Sequence, residues 1–365
     1  MTSLQRLTLK LVGGIIGLAF EPAITGSTLA AMRFLPENVQ RQFLELDFIP
    51  SWIQDDKVKL GLWILLALGF GKRLNRALNT LATNNWRISA QEGWKWDEEI
   101  AVVTGGSNGI GKQIVLGLVK RGVRVAILDV QELPEDLKEN PSVSYFKCDV
   151  TSASDTNEAI ESVRKTLGDP SILVNNAGIG GSYPILHTPD DYLHKIMGIN
   201  LLAHWTTTKA CLPSMIAQNK GHIVTIASMA SYLALPAGIP YSASKAGALA
   251  FHEGLTCEIK HVYKAPGIVT TVAHPSWVRT DMTAKDAKQI EKGGKMMTPE
   301  YVGGRIVEQI FSRKGAQLIL PDNLWAASGI RWWPNWLQEI ARDAIGRPVG
   351  RAINRGRKKS DGSRS

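Results

Sequence analysis

Between residues 96 and 321, seven short apolar segments rich in β-branched residues alternate with longer amphipathic segments. The apolar segments are EIAVVTGG, VRVAILDV, VSYFKCDV, SILVNNAG, HIVTIAS, VTTVAHP and AQLILP. Continuously apolar strands separated by helices are typical of a parallel sheet that helices cover on both faces. The pattern therefore predicts an α/β domain over residues 96–321, built on a doubly wound, seven-stranded parallel sheet.

The first predicted strand runs directly into a glycine-rich turn, TGGSNGIG, at residues 104–111. Gly105 permits the sharp turn, and Gly109 and Gly111 let a pyrophosphate and the sheet approach the backbone closely. The free N–H groups at the start of the following helix then face the phosphate. This order of strand, turn and helix predicts a Rossmann-type dinucleotide site. Ser107, Asn108 and Ile110 belong to the same predicted cofactor loop.

Aspartates stand at the ends of the second and third predicted strands. Asp129 can accept hydrogen bonds from both ribose hydroxyls of NAD, and its charge repels the 2′-phosphate of NADP. Ser107, Asn108 and Val130 are not basic, so they offer that phosphate no partner. Asp149 is placed to hydrogen-bond adenine, although capping of a turn fits its spacing as well. We expect NAD as the cofactor and NADP as the less favoured alternative.

Five motifs follow one another at the spacing of the short-chain dehydrogenases/reductases, and the chain resembles that family over roughly residues 97–321. They are TGGSNGIG, NNAG at 175–178, Asn200 in GINLLAHW, Ser228, and YSASK at 241–245. The segments SILVNNAGI, LLAHWTTTKACLPSM, KGHIVTIAS and TTVAHPSWVRT resemble more narrowly the branch of retinol dehydrogenases and lipid-droplet 17-beta-hydroxysteroid dehydrogenases. That resemblance implies a membrane-attached oxidoreductase for lipophilic alcohols.

The resemblance assigns the catalytic roles to Asn200, Ser228, Tyr241 and Lys245. Tyr241 would exchange a proton with the substrate oxygen, which Ser228 would hold. Free tyrosine titrates at about pH 10, so we expect Lys245 and the positive nicotinamide to favour its phenolate. Lys245 would also reach the nicotinamide ribose, and Asn200 would hold a water that links Lys245 to solvent.

Further cofactor contacts follow from the same resemblance. The NNAG motif would close the central sheet beside the cofactor, and Thr280 would touch the nicotinamide carboxamide. Pro275-Ser276-Trp277 stands where many family members carry Pro-Gly, and the lipophilic-substrate branch also lacks that glycine. The remaining expected cofactor contacts are Asn176, Ala177, Gly178, Tyr241, Lys245 and Pro275, and Asn175 is expected beside the cofactor.

Two loops near these motifs concern the substrate. Residues 229–240 are apolar and lie between Ser228 and Tyr241, which predicts a hydrophobic substrate wall or ordinary packing. Residues 282–297 carry two glycines and many charges, as a mobile lid would. The seven histidines show no ligand spacing, so we expect no metal site. Three widely spaced cysteines, Cys148, Cys211 and Cys257, indicate a reducing compartment.

The N-terminal residues 1–95 differ in composition from the predicted catalytic domain. Apolar runs at 11–20 and 60–71 are flanked by lysines and arginines. The second run would be about 18 Å long as a helix, whereas a bilayer core is about 30 Å thick. We expect shallow membrane insertion with the cations at the head groups. Two helices packed on the catalytic domain, or a cleaved signal peptide for the first run, are the alternatives.

Residues 322–365 form a segment rich in tryptophan and arginine. A predicted helical stripe contains Trp336, Leu337, Ile340, Ala341, Ala344 and Ile345. Trp325, Trp332, Trp333 and Trp336 would sit at a membrane interface or over the substrate site, or pack on the core or a second subunit. The chain carries a net charge of +9, and basic residues dominate from Arg347 onward. Anionic lipid or solvent suits this tail better than nucleic acid.

The leading functional prediction is NAD-dependent oxidation of a lipophilic alcohol at the cytosolic face of the endoplasmic reticulum or of lipid droplets. One alternative is a carbonyl reductase that prefers NADPH. Another is a membrane-docked dinucleotide-binding protein without turnover. Family members often form dimers or tetramers through the helices that hold Asn200 and Tyr241, so a homodimer is among the expected assemblies.

Overall fold

The structure is a computed structural model that describes residues 20–34, 36, 39 and 55–361. The chain divides into two compact units, one up to Ala82 and one from Thr83 onward. The predicted apolar run at 11–20 lies outside the described residues, apart from Phe20. The tail beyond residue 361 also lies outside them.

Two helices pack together in the first unit: α1, Pro22–Phe34, and α2, Asp56–Thr83. They approach closely at Gly69, where an added Cβ would lie 3.0 Å from Cγ of Pro22. The second predicted apolar run lies within α2. Within the described ranges, no helix combines the length and apolar character needed to cross a membrane. Large apolar side chains are nevertheless exposed on α2: Leu60, Trp63, Ile64, Leu68, Phe70, Leu74 and Leu78.

The second unit is built on a sheet of seven parallel strands, which confirms the predicted sheet. The strands are β1 Ile100–Thr104, β2 Arg124–Asp129, β3 Val143–Lys147, β4 Ile172–Asn175, β5 Gly221–Ile226, β6 Ile268–Pro275 and β7 Ala316–Leu320. Their order across the sheet is β3-β2-β1-β4-β5-β6-β7. The chain therefore winds in one direction from β1 to β3 and in the other from β4 to β7, and β1 and β4 are neighbours at the switch point.

Helices cover both faces of this sheet. The longer helices are α3 Gly109–Val119, α4 Ala153–Thr166, α5 Asp190–Met197, α6 Ala203–Gln218, α7 Ile239–His261, α8 Pro299–Phe311 and α9 Asn335–Asp361. Shorter helical turns lie at Glu135–Lys138, Ile185–His187, Gly198–Leu202, Met229–Ser231, Asp281–Ala284, Ala287–Gly293, Asp322–Leu324, Trp325–Ser328 and Ile330–Trp332.

Alternate residues of each strand pack against opposite helix layers, since successive side chains point to opposite faces. On β1, Ala101 and Val103 belong to the apolar cluster that includes α3 and α8. Ile100 and Val102 belong to the cluster that includes α4, α6 and α7. This two-sided burial explains why the strands appear in the sequence as continuous apolar runs.

The residues of the predicted C-terminal stripe all lie in α9. In α9, Trp336, Ile340 and Ala344 are exposed, whereas Leu337, Ala341 and Ile345 are half-buried. Residues four positions apart lie on the same face of a helix, so one such row can pack against the protein while the adjacent row stays in solvent. Trp325 and Trp332 are also exposed, so these tryptophans do not pack on the core of this chain.

Candidate active site

The glycine-rich turn between β1 and α3 has the backbone that its sequence predicts. Gly105 and Gly109 have positive φ angles of +64° and +55°, which glycine adopts without strain. The Asn108 side chain caps α3 by accepting a hydrogen bond from the Gly109 N–H at 2.6 Å. At Gly111, an added Cβ would lie 2.1 Å from the carbonyl oxygen of Gly105. The loop thus forms a tight cradle at a helix N-terminus, which fits a pyrophosphate group.

Asp129 is buried at the end of β2, directly beside this cradle. One carboxylate oxygen accepts from the backbone N–H of Ser107 and the other from that of Gln131, both at 3.0 Å. These bonds fix the carboxylate and leave further lone pairs for ribose hydroxyls. Asp149 is exposed and accepts from the N–H and hydroxyl of Thr151, so the turn-capping alternative describes its contacts.

The NNAG motif supports the glycine turn from the neighbouring strand. The Asn176 amide donates to the carbonyl oxygens of Thr104 and Gly105 at 3.0 and 2.9 Å. In return, the Thr104 hydroxyl accepts from the backbone N–H groups of Asn176 and Ala177. Asn175 accepts from the Thr207 hydroxyl at 2.7 Å. Thr104 was not among the predicted site residues, although its position at the end of β1 is readable from the sequence.

Three predicted residues from distant parts of the chain converge near β4. An added Cβ at Gly178 would lie 3.5 Å from Asn200 Oδ1 and 3.6 Å from Lys245 Nζ. Lys245 is buried, and its Nζ donates to the carbonyl oxygen of Ile226 at 2.7 Å. Ile226 ends β5, so this bond ties α7 to the carboxyl edge of the sheet.

Asn200 lies in a single π-helical turn, Gly198–Leu202, between α5 and α6. Its Oδ1 accepts from the Ile179 N–H at 2.8 Å, and its Nδ2 donates to the Ile179 carbonyl at 3.0 Å and to Ser244 Oγ at 3.2 Å. Both N–H groups of the amide are thus occupied by protein groups. Oδ1 keeps a second lone pair, which can accept from the water expected of Asn200.

Ser228 follows β5 and begins the turn at residues 229–231. Its Oγ accepts from the Ala230 N–H at 3.1 Å and donates to the Pro275 carbonyl at 3.3 Å. Burial raises the pKa of the Tyr241 phenol, whereas a hydrogen bond with Ser228 lowers it. Lys245 Nζ lies 5.9 Å from the centre of the Tyr241 ring.

Burial dominates the electrostatics of this pair. It is the largest influence on the Tyr241 phenol and raises its pKa, and the expected lowering by Lys245 and a positive nicotinamide together stays a prediction. Burial also lowers the pKa of Lys245 to about 8. Desolvation disfavours the charged form of both groups, and no sequence pattern reports it.

The predicted lid begins beside the glycine cradle. Thr280 caps the helical turn 281–284, and an added Cβ at Gly109 would lie 3.3 Å from Thr280 Cγ2. Asn108 donates to the Asp281 carboxylate across the same gap. An added Cβ at Gly180 would lie 3.0 Å from the Met282 sulfur. The segment after β6 therefore contacts both the cofactor loop and the NNAG strand end.

Apolar side chains are exposed around this edge of the sheet. They are Ile185, Leu186, Ile239, Trp277 and Met282. The Tyr183 N–H donates to the Ala237 carbonyl at 2.7 Å, which joins the loop after β4 to the apolar loop 229–240. In the part of the chain that the structure describes, no group of histidine, cysteine or acidic residues is arranged to hold a metal ion.

Comparison with known proteins agrees with this geometry. The model of the short chain dehydrogenase family matches residues 99–291. Dehydrogenase RED2 of Cochliobolus heterostrophus is 38% identical over 208 residues, which cover 57% of this chain and 77% of that protein. Estradiol 17-beta-dehydrogenase 11 of Pongo abelii is 31% identical over 234 residues, covering 62% of this chain and 76% of that protein.

A solved structure shares the fold. Ligand-free aldohexose dehydrogenase of Thermoplasma acidophilum superimposes with a TM-score of 0.55 at 22% sequence identity. The match covers 61% of this chain and 92% of that one. At this identity the likeness supports the fold alone.

Proposed function

The chain belongs to the short-chain dehydrogenase family and is an oxidoreductase acting on CH–OH groups; on this premise we propose that it is NAD-dependent and interconverts a lipophilic alcohol and its carbonyl. The observation that carries the proposal is the convergence of Asn200 and Lys245 at Gly178, with Tyr241 and Ser228 beside them. We assign the reaction to the domain at residues 96–321.

The cradle formed by Gly105, Gly109 and Gly111 suits the pyrophosphate, and the fixed carboxylate of Asp129 suits an unphosphorylated ribose. When bound, the nicotinamide would accept the hydride from the alcohol or return it to the carbonyl. Thr280 contacts the same cradle and is our candidate for orienting the ring.

Ser228 would hold the substrate oxygen, and Tyr241 would take or supply its proton. Because burial raises the pKa of the Tyr241 phenol, proton removal needs nearby positive charge to offset it. With a pKa of about 8, Lys245 remains mostly protonated at neutral pH and supplies part of that charge. One of its three N–H donors binds Ile226, which leaves two for a ribose hydroxyl and a water.

We further propose that the substrate is lipophilic and that the protein works at a membrane or lipid-droplet surface, such as that of the endoplasmic reticulum. Support comes from the exposed apolar side chains of α2 and from the exposed Trp325, Trp332 and Trp336. The net charge of +9 favours an anionic surface. The N-terminal residues 1–95 and the C-terminal residues 322–365 would make these contacts. A relative bears the name estradiol 17-beta-dehydrogenase 11, which favours a steroid-like alcohol.

The test of activity is turnover of estradiol and of all-trans-retinol with NAD⁺ or NADP⁺, followed by NADH or NADPH fluorescence. We expect turnover with NAD⁺ and a strongly reduced but measurable rate in Ser228→Ala. Preferential use of NADP(H) would favour the carbonyl-reductase alternative. Cofactor binding without turnover of either alcohol or of the matching carbonyls would favour the non-catalytic alternative.

The test of the surface is flotation with vesicles of phosphatidylcholine and phosphatidylserine. We expect the protein to float, and Ile64→Asp together with Leu68→Asp to reduce flotation because both side chains are exposed and apolar. Asn75→Asp, an acidic substitution at an exposed polar position of α2, is the matched control. Equal flotation of all three proteins would contradict the assignment to α2.

A further inference from the structure

A chain of hydrogen bonds runs behind Ser228 and connects it with the C-terminal segment. We propose that Arg331, Tyr232 and His274 are positioning residues that fix the turn presenting the Ser228 hydroxyl, so that the C-terminal segment completes the active site. The inference rests on the proposed function for the role of Ser228. The geometry that supports it is independent of the substrate.

The first link is His274, the residue before the end of β6. Its Nδ1 lies 3.2 Å from the backbone carbonyl oxygen of Ser228. A carbonyl can only accept, so Nδ1 carries the proton and donates it. The same carbonyl accepts from the Ser231 N–H at 2.9 Å, which closes the turn. The next residue, Pro275, accepts from Ser228 Oγ. Strand β6 therefore holds both the backbone and the side chain of Ser228.

The second link is Tyr232, whose hydroxyl lies 3.0 Å from His274 Nε2. Because Nδ1 of the neutral ring is the donor, Nε2 is the acceptor and the hydroxyl donates to it. The hydroxyl oxygen in turn accepts from the Gln317 amide on β7. Burial raises the pKa of Tyr232 to about 12 and lowers that of His274 to about 4. Both groups are thus neutral near pH 7, so each hydrogen bond in the chain keeps the same donor and the same acceptor.

The third link comes from about one hundred residues further along the chain. Arg331 Nη2 donates to the Ser231 carbonyl at 2.7 Å, and its Nε donates to the Tyr232 carbonyl at 3.3 Å. Gln338, which is only 8% exposed, donates to the Trp333 carbonyl at 2.7 Å and so anchors the turn that carries Arg331. The guanidinium thereby satisfies two carbonyl groups at the end of the Ser228 turn.

The turn is also tied to α7, the helix that carries Tyr241 and Lys245. The Ser231 hydroxyl donates to the Lys245 carbonyl at 2.9 Å. A group that stabilises developing charge must be held within a fraction of an ångström, because small misplacements cost large factors in rate. Loosening this turn would therefore lower kcat more than it alters substrate binding.

Arg331 lies beyond residues 99–291, over which the family model matches. The C-terminal segment would thus have a role at the reacting centre in addition to any contact with a lipid surface. A lipid contact alone would not require a guanidinium directed at two backbone carbonyls.

The experiment compares Arg331→Ala, Arg331→Lys and Tyr232→Phe in the full-length chain. Arg347→Ala is the matched control, because Arg347 is exposed on the same segment and pairs with Asp343. Amide hydrogen exchange of peptides spanning 229–233, read by mass spectrometry without substrate, reports the turn directly. We expect exchange to quicken about tenfold in Arg331→Ala, less in Arg331→Lys and Tyr232→Phe, and not at all in the control.

Turnover of estradiol with NAD⁺ supplies the second readout. We expect kcat of Arg331→Ala to fall about tenfold with KM nearly unchanged, and Lys to restore part of it. In a Ser228→Ala background, Arg331→Ala should cause no further loss, since Arg331 acts through Ser228. Thermal unfolding of each variant separates this effect from a general loss of stability.

Two results would overturn the inference. One is unchanged exchange at 229–233 in Arg331→Ala. The other is an undiminished loss of kcat from Arg331→Ala in the Ser228→Ala background. If the wild-type protein turned over neither estradiol nor retinol, the proposed function would fail, but the exchange experiment would still decide whether Arg331 holds the turn.

Discussion

Two sides of the sheet are organised in different ways: β1 to β3, called the nucleotide side here after its proposed role, and β5 to β7, called the catalytic side on the same ground. On the nucleotide side the cradle is shaped by backbone: positive φ angles at Gly105 and Gly109, and close contact at Gly111. On the catalytic side, side chains from β6, β7 and the C-terminal segment bond successive residues of the segment 228–232. The first site depends on a few consecutive residues, and the second depends on contacts between distant ones.

The two sides of the sheet also differ in their content of histidine. All seven histidines of the chain lie at position 187 or later. Four of them lie on the catalytic side, on β5, β6, α6 or α7: His204, His222, His252 and His274. Burial lowers the pKa of His274 to about 4 and the pKa of each of the other three to about 3. The catalytic side therefore contains ionisable groups that must stay neutral, whereas the nucleotide side has no histidine.

The largest expected effect concerns these histidines in acid. In the unfolded chain a histidine gains its proton near pH 6.5, whereas these four gain it only near pH 3 to 4 when folded. Below pH 6.5 the unfolded state binds more protons, so stability falls as the pH falls. Each histidine costs about 1.4 kcal/mol per pH unit there, and together they cost on the order of 5 kcal/mol at pH 5.5. Urea unfolding at pH 7.5 and 5.5 measures the difference.

His204→Leu tests this assignment because neither ring nitrogen of His204 has a hydrogen-bond partner among the described residues. The variant should lose about a quarter less stability on acidification than the wild-type protein, by the same proton balance. His194→Leu, at an exposed position, is the control. An equal loss of stability on acidification in the wild-type protein and in His204→Leu would contradict the assignment of the pH dependence to these four histidines.

Tyr241→Phe has the next largest expected effect and acts on the catalytic side alone. Loss of the hydroxyl to which we assign proton transfer should lower kcat by about a hundredfold to ten-thousandfold, or about 3 to 5 kcal/mol in activation free energy. The thermal shift on adding NAD⁺ should persist, since the glycine cradle is untouched. A fully active variant would rule out Tyr241 as the proton donor and acceptor.

Gly111→Ala is the corresponding change on the nucleotide side. Its Cβ would lie 2.1 Å from the Gly105 carbonyl oxygen, so the turn must shift, at a cost of about 3 kcal/mol in unfolding free energy. Gly304→Ala on α8 has no heavy atom within 4 Å of the added Cβ and should be neutral or slightly stabilising. Thermal unfolding of both, with and without NAD⁺, tests whether the cradle depends on backbone space. Similar stability of the two variants would contradict it.

The smallest expected effect is a change of cofactor preference. Asp129→Asn removes the charge that repels a 2′-phosphate and should shift the ratio of NADP⁺ to NAD⁺ affinity about tenfold towards NADP⁺, or about 1.4 kcal/mol. Asp149→Asn is the control. It also removes one negative charge, but at an aspartate that accepts a hydrogen bond from the Thr151 N–H, and it should leave the affinity ratio unaltered. Cofactor titrations by fluorescence measure both. An unchanged ratio in Asp129→Asn would remove Asp129 as the determinant.

Much of the scaffold was predictable because its determinants are local. The apolar runs predicted all seven strands, since burial on both faces leaves a continuous mark in the sequence. The predicted stripe lies in α9, but its side chains differ in exposure: Trp336 and Ile340 are exposed, whereas Leu337 is half-buried. Periodicity identifies a helix face, but the neighbouring elements decide which edge of that face is covered.

The site shows the same division. The order of motifs predicted Asn200, Ser228, Tyr241 and Lys245 as a group, and their roles stay predictions. It did not predict that Ile179 occupies the Asn200 amide, because that partner lies in a loop whose path the sequence does not reveal.

By itself, the sequence determined the parallel sheet, the glycine cradle and the identity of the candidate catalytic side chains. These depend on burial periodicity and backbone freedom, which a few neighbouring residues encode. Only the tertiary structure decided that burial raises the pKa of Tyr241 and that Arg331 reaches the turn after Ser228. Desolvation and hydrogen bonds between residues about one hundred positions apart depend on how the whole chain packs.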